Sequence, residues 1–276
     1  MTIDPAETSY PDENSQKSTD SGESFFQSFL VLLSLVCVLL FSGCATTQRA
    51  EDIKEAEAHN NLGLSYLNNK QTNEAYIEFQ KAVRLDPKNK ETLNYLGYIS
   101  AIYKKHDEAI SYYKRAIAID HEYSDAMNNL GLVYLDINNW DMAIKYFKSA
   151  LNNTLYRTPE NAYSSLGYAY YKKKDYLNAE KSLKEGLLRN PAFPLAMYYL
   201  GLVYIGQEKY DAAIAELHKA IAFIPDYYEA HWELASIYLI LGKNSKALKH
   251  LEVVAEENNN NERRRKAQEL IRSIKY

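Results

Sequence analysis

Eight side chains of this chain are of the types that most often do chemistry outright: six histidines and two cysteines. Metal binding by histidine needs paired imidazoles at a spacing such as His-x-x-x-His, completed by further His, Cys or carboxylate ligands. His59, His106, His121, His218, His231 and His250 contain no such pair. Nucleophilic catalysis needs a thiol or hydroxyl held against a base, and no candidate pair is visible. Cys37 and Cys44 are the two thiols, and both precede residue 45. The rest of the chain therefore carries no disulfide and no thiolate metal site. No Gly-rich phosphate loop occurs either. These residues predict a chain that is not an enzyme and takes no cofactor.

Cys44 has a context of its own. Residues 1–24 are polar, acidic and rich in Ser and Pro, a composition for disorder. Phe25 to Phe41 is apolar except at Gln27, Ser28 and Ser34, and Ser42-Gly43-Cys44 follows. An apolar run of this length ending in small residues reads as a secretory h-region with its cleavage site. With Cys directly after Gly, the segment resembles the lipobox of bacterial lipoproteins, with Phe41 where Leu is usual and an acidic leader where a short basic one is usual. That resemblance implies that Cys44 becomes a lipidated first residue. Two acyl signals anchor stably where one chain is marginal. Ala45 lacks the acidic side chain associated with inner-membrane retention, so the resemblance points to the periplasmic face of the outer membrane. The alternative is an uncleaved inner-membrane signal anchor with periplasmic repeats, since the run is just long enough to span. Residues 1–43 are thus leader and signal, and 44–55 a lipidated Cys with its tether. Extended, that tether reaches no more than roughly 36–40 Å.

Charge and composition exclude further classes. Six acids and one base in residues 1–43 carry a net −5, so the total of −4 leaves about +1 for the remainder. A nearly neutral body gives no electrostatic case for nucleic acid. Hydrophobic residues make up 46% of the chain, enough to bury a core.

The elements that position these side chains are repeated. Leu62-Gly63, Leu96-Gly97, Leu130-Gly131, Leu166-Gly167, Leu200-Gly201 and Leu234-Ala235 recur every 34 residues, with one step of 36. Ala75, Ala109, Ala143, Ala179, Ala213 and Ala247 each follow twelve residues after the small residue. A period of this size marks a stacked helical array. Small residues let the two helices of a unit approach. Tyr66, Tyr134, Tyr170, Tyr204 and Tyr238 fill the space between helices, and Tyr103 is expected to compensate for Ser100 in the second unit. Pro87, Pro191 and Pro225 end second helices. The longer connection from Asn152 to Pro159 predicts an irregular join.

This pattern resembles the tetratricopeptide repeat. The resemblance implies an all-α, right-handed superhelical solenoid of six helix pairs over 56–261, in units 56–89, 90–123, 124–159, 160–193, 194–227 and 228–261. Residues 262–276, with Ala267, Leu270, Ile271 and Ile274 at helical spacing, form a capping helix. Its basic run from Arg263 to Lys266 is either a solvated face or a contact to anionic lipid or glycan. All six histidines then fall on structural positions: His59 and His231 in a large-residue slot, His106 at a turn, His121 in the slot of the terminal Pro, and His218 and His250 on second helices.

In such arrays the first helices line a concave groove through the second, fifth, ninth, twelfth and thirteenth positions of each unit. Carried over residue by residue, the fifth gives Asn60, Asn94, Asn128, Tyr198 and Trp232, the ninth Tyr98 and Tyr168, and the twelfth Tyr171. Each Asn amide both donates and accepts, which suits an extended peptide backbone. The tyrosines either offer side-chain pockets or pack between repeats. Glu57, Glu91, Asp125 and Glu229 at the second position, with no Lys or Arg at the fifth or ninth, rule out a clamp for a carboxyl terminus. A neutral or basic, partly apolar segment is the expected ligand.

A lipobox followed by six such repeats and a short cap resembles the pilotin lipoproteins of type IV pilus systems. That resemblance implies a membrane-tethered scaffold whose partner is an outer-membrane secretin. The alternative is an adaptor lipoprotein that recruits peptidoglycan-modifying enzymes or proteases.

Overall fold

The computed structural model describes residues 48–275, and helices joined by short turns make up nearly all of them. Thirteen helices follow in order. α1 (48–68) and α2 (Thr72–Leu85) form the first pair, α3 (Lys90–Ile102) and α4 (His106–Ile119) the second, α5 (Ser124–Asp136) and α6 (Trp140–Leu151) the third. α7 (Pro159–Lys172) and α8 (Tyr176–Arg189), α9 (Pro194–Gly206) and α10 (Tyr210–Phe223), and α11 (Tyr228–Ile240) and α12 (Asn244–Val254) complete the six, and α13 (Asn261–Lys275) caps the last. Together they make a superhelical solenoid. Cys44, the leader and the apolar run from Phe25 to Phe41 lie outside the described residues. Among the described residues no helix is long and apolar enough to cross a membrane. Residues 48–55, placed in the tether from sequence, are helical and continuous with the rest of α1. As helix they span only about 12 Å.

Within each pair one contact recurs, sixteen residues apart. Gly63 faces Phe79, Gly97 faces Tyr113, Gly131 faces Phe147, Gly167 faces Leu183 and Gly201 faces Leu217. The large partners are all sealed from solvent. A methyl group at Gly131 would lie 2.5 Å from the Phe147 ring. The repeating alanines from Ala75 to Ala247 are buried on the second helices. Leu96, Leu130, Leu166, Leu200 and Leu234 are buried in turn, whereas Leu62 is 43% exposed, since no described repeat packs in front of it.

The turn inside each pair is equally uniform. Lys70, Lys104, Asn138, Lys174, Glu208 and Gly242 adopt left-handed backbone, with φ between 58° and 67°. In the first pair Lys70 N–H donates to the Leu67 carbonyl and Gln71 N–H to the Tyr66 carbonyl, and the other five pairs repeat both bonds. This Schellman pattern satisfies carbonyls that the helix end leaves free. Its bonds offset the roughly 1–2 kcal/mol that a side chain with a Cβ costs at positive φ.

Two sequence expectations meet local exceptions. The α6–α7 connection is longer than the others, as expected; Asn153 Nδ2 donates to the Glu122 carbonyl and tethers it to the preceding repeat. Tyr103 does not fill the space beside Ser100. It caps the end of α3, stays 40% exposed and donates to Asn73, and the buried Ser100 hydroxyl has no partner.

The histidines hold a pattern that spacing along the chain did not show. A residue at the fourth position of a unit faces one nineteen residues later on the second helix. His59 Nδ1 lies 2.5 Å from Glu78 Oε2, and His231 Nδ1 lies 2.9 Å from His250 Nδ1. His231 Nε2 donates to the Pro225 carbonyl 2.9 Å away, which leaves its Nδ1 as the acceptor. The His218 ring centroid lies 5.6 Å from that of His250, and Tyr238 stacks on His250. Among the described residues no group of three His, Cys, Asp or Glu is arranged to hold a metal ion. Burial lowers all three imidazoles. His250, with His231, His218 and Lys249 adding repulsion, is pushed down to about 4 from 6.5.

Two outcomes are expected. Gly131→Ala should destabilise the fold by about 1–3 kcal/mol in urea titrations, since overpacking outweighs the helix propensity of Ala. A neutral or positive change would show that the Phe147 ring yields. Separately, the unfolded chain binds protons as pH falls through 6.5 while folded His250 resists until about 4. Stability is therefore complete above 6.5 and declines as pH falls toward 4. Melting curves between pH 7 and 4.5 should show this slope, and His250→Phe should flatten it; an unchanged slope would remove the His250 account.

Candidate functional site

Curvature identifies the inner face. The first helices of neighbouring pairs, α3, α5, α7, α9 and α11, touch one another as well as their own second helices. The side on which successive helices are closest is the inside of the bend. Residues that point inward from these helices line one continuous groove.

At its near end the groove is apolar. A cavity of about 290 Å³ lies between α3 and α5, lined by Tyr98, Ala101, Ile102, Tyr113, Leu132 and Val133. A second, of about 340 Å³, lies between α5 and α7 and is more polar, lined by Leu132, Leu135, Trp140 and Tyr168 together with Asp136, Asn138 and Lys172. The two share Leu132 and Asp136. Tyr98 and Leu132 are 45% and 41% exposed, well above a core residue. Asp136 marks the rim, where Lys104 Nζ donates from 3.0 Å and His106 Nε2 lies 2.7 Å away. Those two partners hold its carboxyl below the ordinary value.

Two of the three asparagines of the row are already engaged. Asn60 Oδ1 accepts from the Thr92 hydroxyl at 2.9 Å, and Asn94 Oδ1 accepts from Asn129 Nδ2 at 3.1 Å. Each bond joins one repeat to the next, so these carboxamides set repeat register. The Asn128 oxygen is buried without a partner, as is the Ser164 hydroxyl at the equivalent position of the next repeat.

The far end is aromatic. Tyr176, Tyr171, Tyr168, Tyr199, Tyr198 and Tyr227 form an unbroken chain of rings from α8 through α7 and α9 to the turn before α11. Consecutive ring centroids are 6.2, 6.0, 4.3, 5.7 and 5.1 Å apart. Tyr168, Tyr171 and Tyr198 were expected here. Tyr199 and Tyr227 were not, because they lie at the sixth position and in the turn. The sixth position reaches the fifth position of the preceding repeat, as Asn129 reaches Asn94. The same offset brings in Glu233 beside Tyr198. Burial raises Tyr198 and Tyr171, and the charge of Glu233 adds to it. Burial likewise raises Tyr227 and pushes Tyr199 up to about 12. Trp232, at the end of the row, packs against the buried cluster of Ala235, Leu251, Val254 and Ala267, and with Leu270 of the capping helix it lines a cavity of about 430 Å³.

Comparisons with known proteins agree with this architecture. Four models described as tetratricopeptide repeat match residues 56–89, 91–154, 164–226 and 204–271. Among solved structures, PilW, described as a widely conserved type IV pilus biogenesis factor, is 21% identical with a TM-score of 0.71; the match covers 77% of this chain and 98% of that one. PilF of Pseudomonas aeruginosa is 18% identical with a TM-score of 0.68, covering 80% and 98%. Among curated proteins, the uncharacterized protein ycf37 of Cyanophora paradoxa is 33% identical over 103 residues, 36% of this chain. The match spans 59% of that relative's length. With its Gly-to-aromatic contacts, its uniform turns and these matched segments, the chain belongs to the tetratricopeptide repeat family.

Proposed function

We propose that this protein is a membrane-tethered periplasmic scaffold that holds a protein segment in its concave groove, and that it acts as a pilotin, assisting assembly of an outer-membrane secretin in type IV pilus biogenesis. One observation carries the binding reading: two adjoining cavities on the inner face, a mostly apolar one at Tyr98 and a mixed one at Tyr168, share Leu132 and Asp136 and form a partly exposed trough. Such a trough suits alternate apolar side chains of an extended segment, with polar groups at the rim fixing orientation. The fold likeness to two type IV pilus proteins, each matched over 98% of its length, supports the pilotin reading. The lipobox-like segment before Cys44 supports the tether.

Leu132→Glu places a carboxylate where the two cavities meet. Because Leu132 is 41% exposed, the fold should tolerate the change. Binding of the native partner should weaken at least about tenfold, the effect of stranding a charge in an apolar pocket; unchanged affinity would exclude the trough. Affinity purification of the full chain from native membranes should recover a secretin. Recovery of cell-wall hydrolases or proteases instead would favour the adaptor role and overturn the pilotin.

Cys44→Ser should leave the circular dichroism and melting curve unchanged but move the protein out of the membrane fraction. Continued integral attachment would favour an uncleaved anchor.

A further inference from the structure

Lysine and arginine cover aromatic rings along much of this solenoid. Lys105 lies over Tyr76, Lys90 over Tyr123, Arg189 over Tyr163, and Lys172 over both Trp140 and Tyr168, with centroid distances between 4.4 and 5.9 Å. In the fifth and sixth repeats Lys184 and Lys209 cover Tyr204 and Lys246 covers Tyr238, but most rings at the far end of the groove are left out. Among the described residues no Lys or Arg lies over Tyr171, Tyr198, Tyr199 or Tyr227, although these rings are only half-buried.

The same place holds an unpaired carboxylate. Glu233, on α11, is half-buried, and among the described residues it has neither a hydrogen bond nor an ion pair. Burial pushes its carboxyl upward, and the charge of Arg263 only partly opposes this. Arg263 is not free to neutralise it. Its Nε donates to Glu257 and its NH2 to Glu229, both at 2.7 Å. Glu229, Glu233 and Glu257 set against Arg263 and against Arg264, which reaches the Glu257 carbonyl, leave a net of −1. Lys266, beyond Trp232, is bound to Glu262 at 2.7 Å.

An aromatic ring presents a negative face to a cation, and the attraction grows as water is removed. Half-buried rings with a carboxylate that has no ion pair beside Tyr198, at the repeat offset by which Asn129 reaches Asn94, make a receptor for an organic cation. We propose that the tyrosine cluster of the fourth to sixth repeats, with Glu233, receives a lysine or arginine side chain of the protein segment bound in the groove. This rests on the groove reading above and adds one requirement to the ligand: a basic residue downstream or upstream of its apolar anchors, at the α9–α11 end. An acidic residue there would meet the local excess of carboxylates and is excluded by the same charges.

The test needs no knowledge of the partner. Nα-acetyl-lysine methylamide is titrated into the full chain in detergent, with tyrosine rings isotopically labelled, and Nα-acetyl-norleucine methylamide serves as the uncharged analogue with the same stem. The lysine amide should shift the Tyr171, Tyr198 and Tyr227 ring signals saturably, and the norleucine amide should bind at least about fivefold more weakly. Glu233→Gln should reduce lysine-amide binding by about tenfold with the melting curve unchanged. Equal binding of the two amides to the native protein, or full lysine-amide binding by Glu233→Gln, would overturn the proposal. Loss of the secretin from membrane purifications would remove the pilotin reading and leave this site intact. An inert cluster with the secretin still recovered would remove this site alone.

Discussion

The structure depends on how closely two helices of a pair can approach. At Gly63, Gly97, Gly131, Gly167 and Gly201 the backbone of the first helix lies directly on a large side chain of the second. No Cβ intervenes, so the aromatic or leucine partner inserts fully and is sealed from water. Burying a side chain of that size contributes on the order of 1.5–3 kcal/mol relative to leaving it exposed. Because the contact repeats at a constant sixteen-residue separation, every pair has nearly the same crossing. A constant pair geometry, stacked with a constant turn, makes a regular bend. The groove is a consequence of that bend.

Since the contact is local and periodic, it is legible in sequence. The Leu-Gly phrase and the alanine twelve residues later mark where helices meet, and the fold follows from laying the units in register. The groove positions follow too, as Tyr98, Tyr168, Tyr171 and Tyr198 show. Contacts that depend on a side chain reaching beyond its own row are not legible this way. Tyr199 and Glu233 lean on the preceding repeat, and Tyr227 reaches back to Tyr198 from the turn before α11. Trp232 packs on the last buried cluster and shares a cavity with the capping helix. Ser100 kept its small size with no nearby tyrosine turned toward it, because Tyr103 is the cap residue of α3 and points outward.

The histidines make the same point in another direction. Along the chain no two have ligand spacing, and each occupies an ordinary repeat slot. Their pairing runs between the two helices of one unit, with a nineteen-residue separation shared by His59–Glu78 and His231–His250. In the first unit the partner is Glu78, whose carboxyl Lys81 and His59 hold down. In the sixth it is another imidazole, and burial with mutual repulsion favours the neutral forms. One slot thus sets an imidazole against a carboxylate or against a second imidazole according to a single partner residue.

The groove divides by the same logic. Between α3 and α7 its lining is aliphatic and aromatic with polar residues among them, Asp136 being held by Lys104 and His106 and Lys172 lying over Trp140 and Tyr168. Local charge there is balanced, so area and shape govern what binds. Between α7 and α11 the rings are tyrosine and a carboxylate is left without a base. Burial of apolar area is nearly indifferent to direction along a groove, whereas a cation site at one end is not. A segment with apolar anchors alone could lie either way in the trough. One basic residue placed beyond them would set the polarity of the bound chain, and with it which end of the partner is presented toward α1.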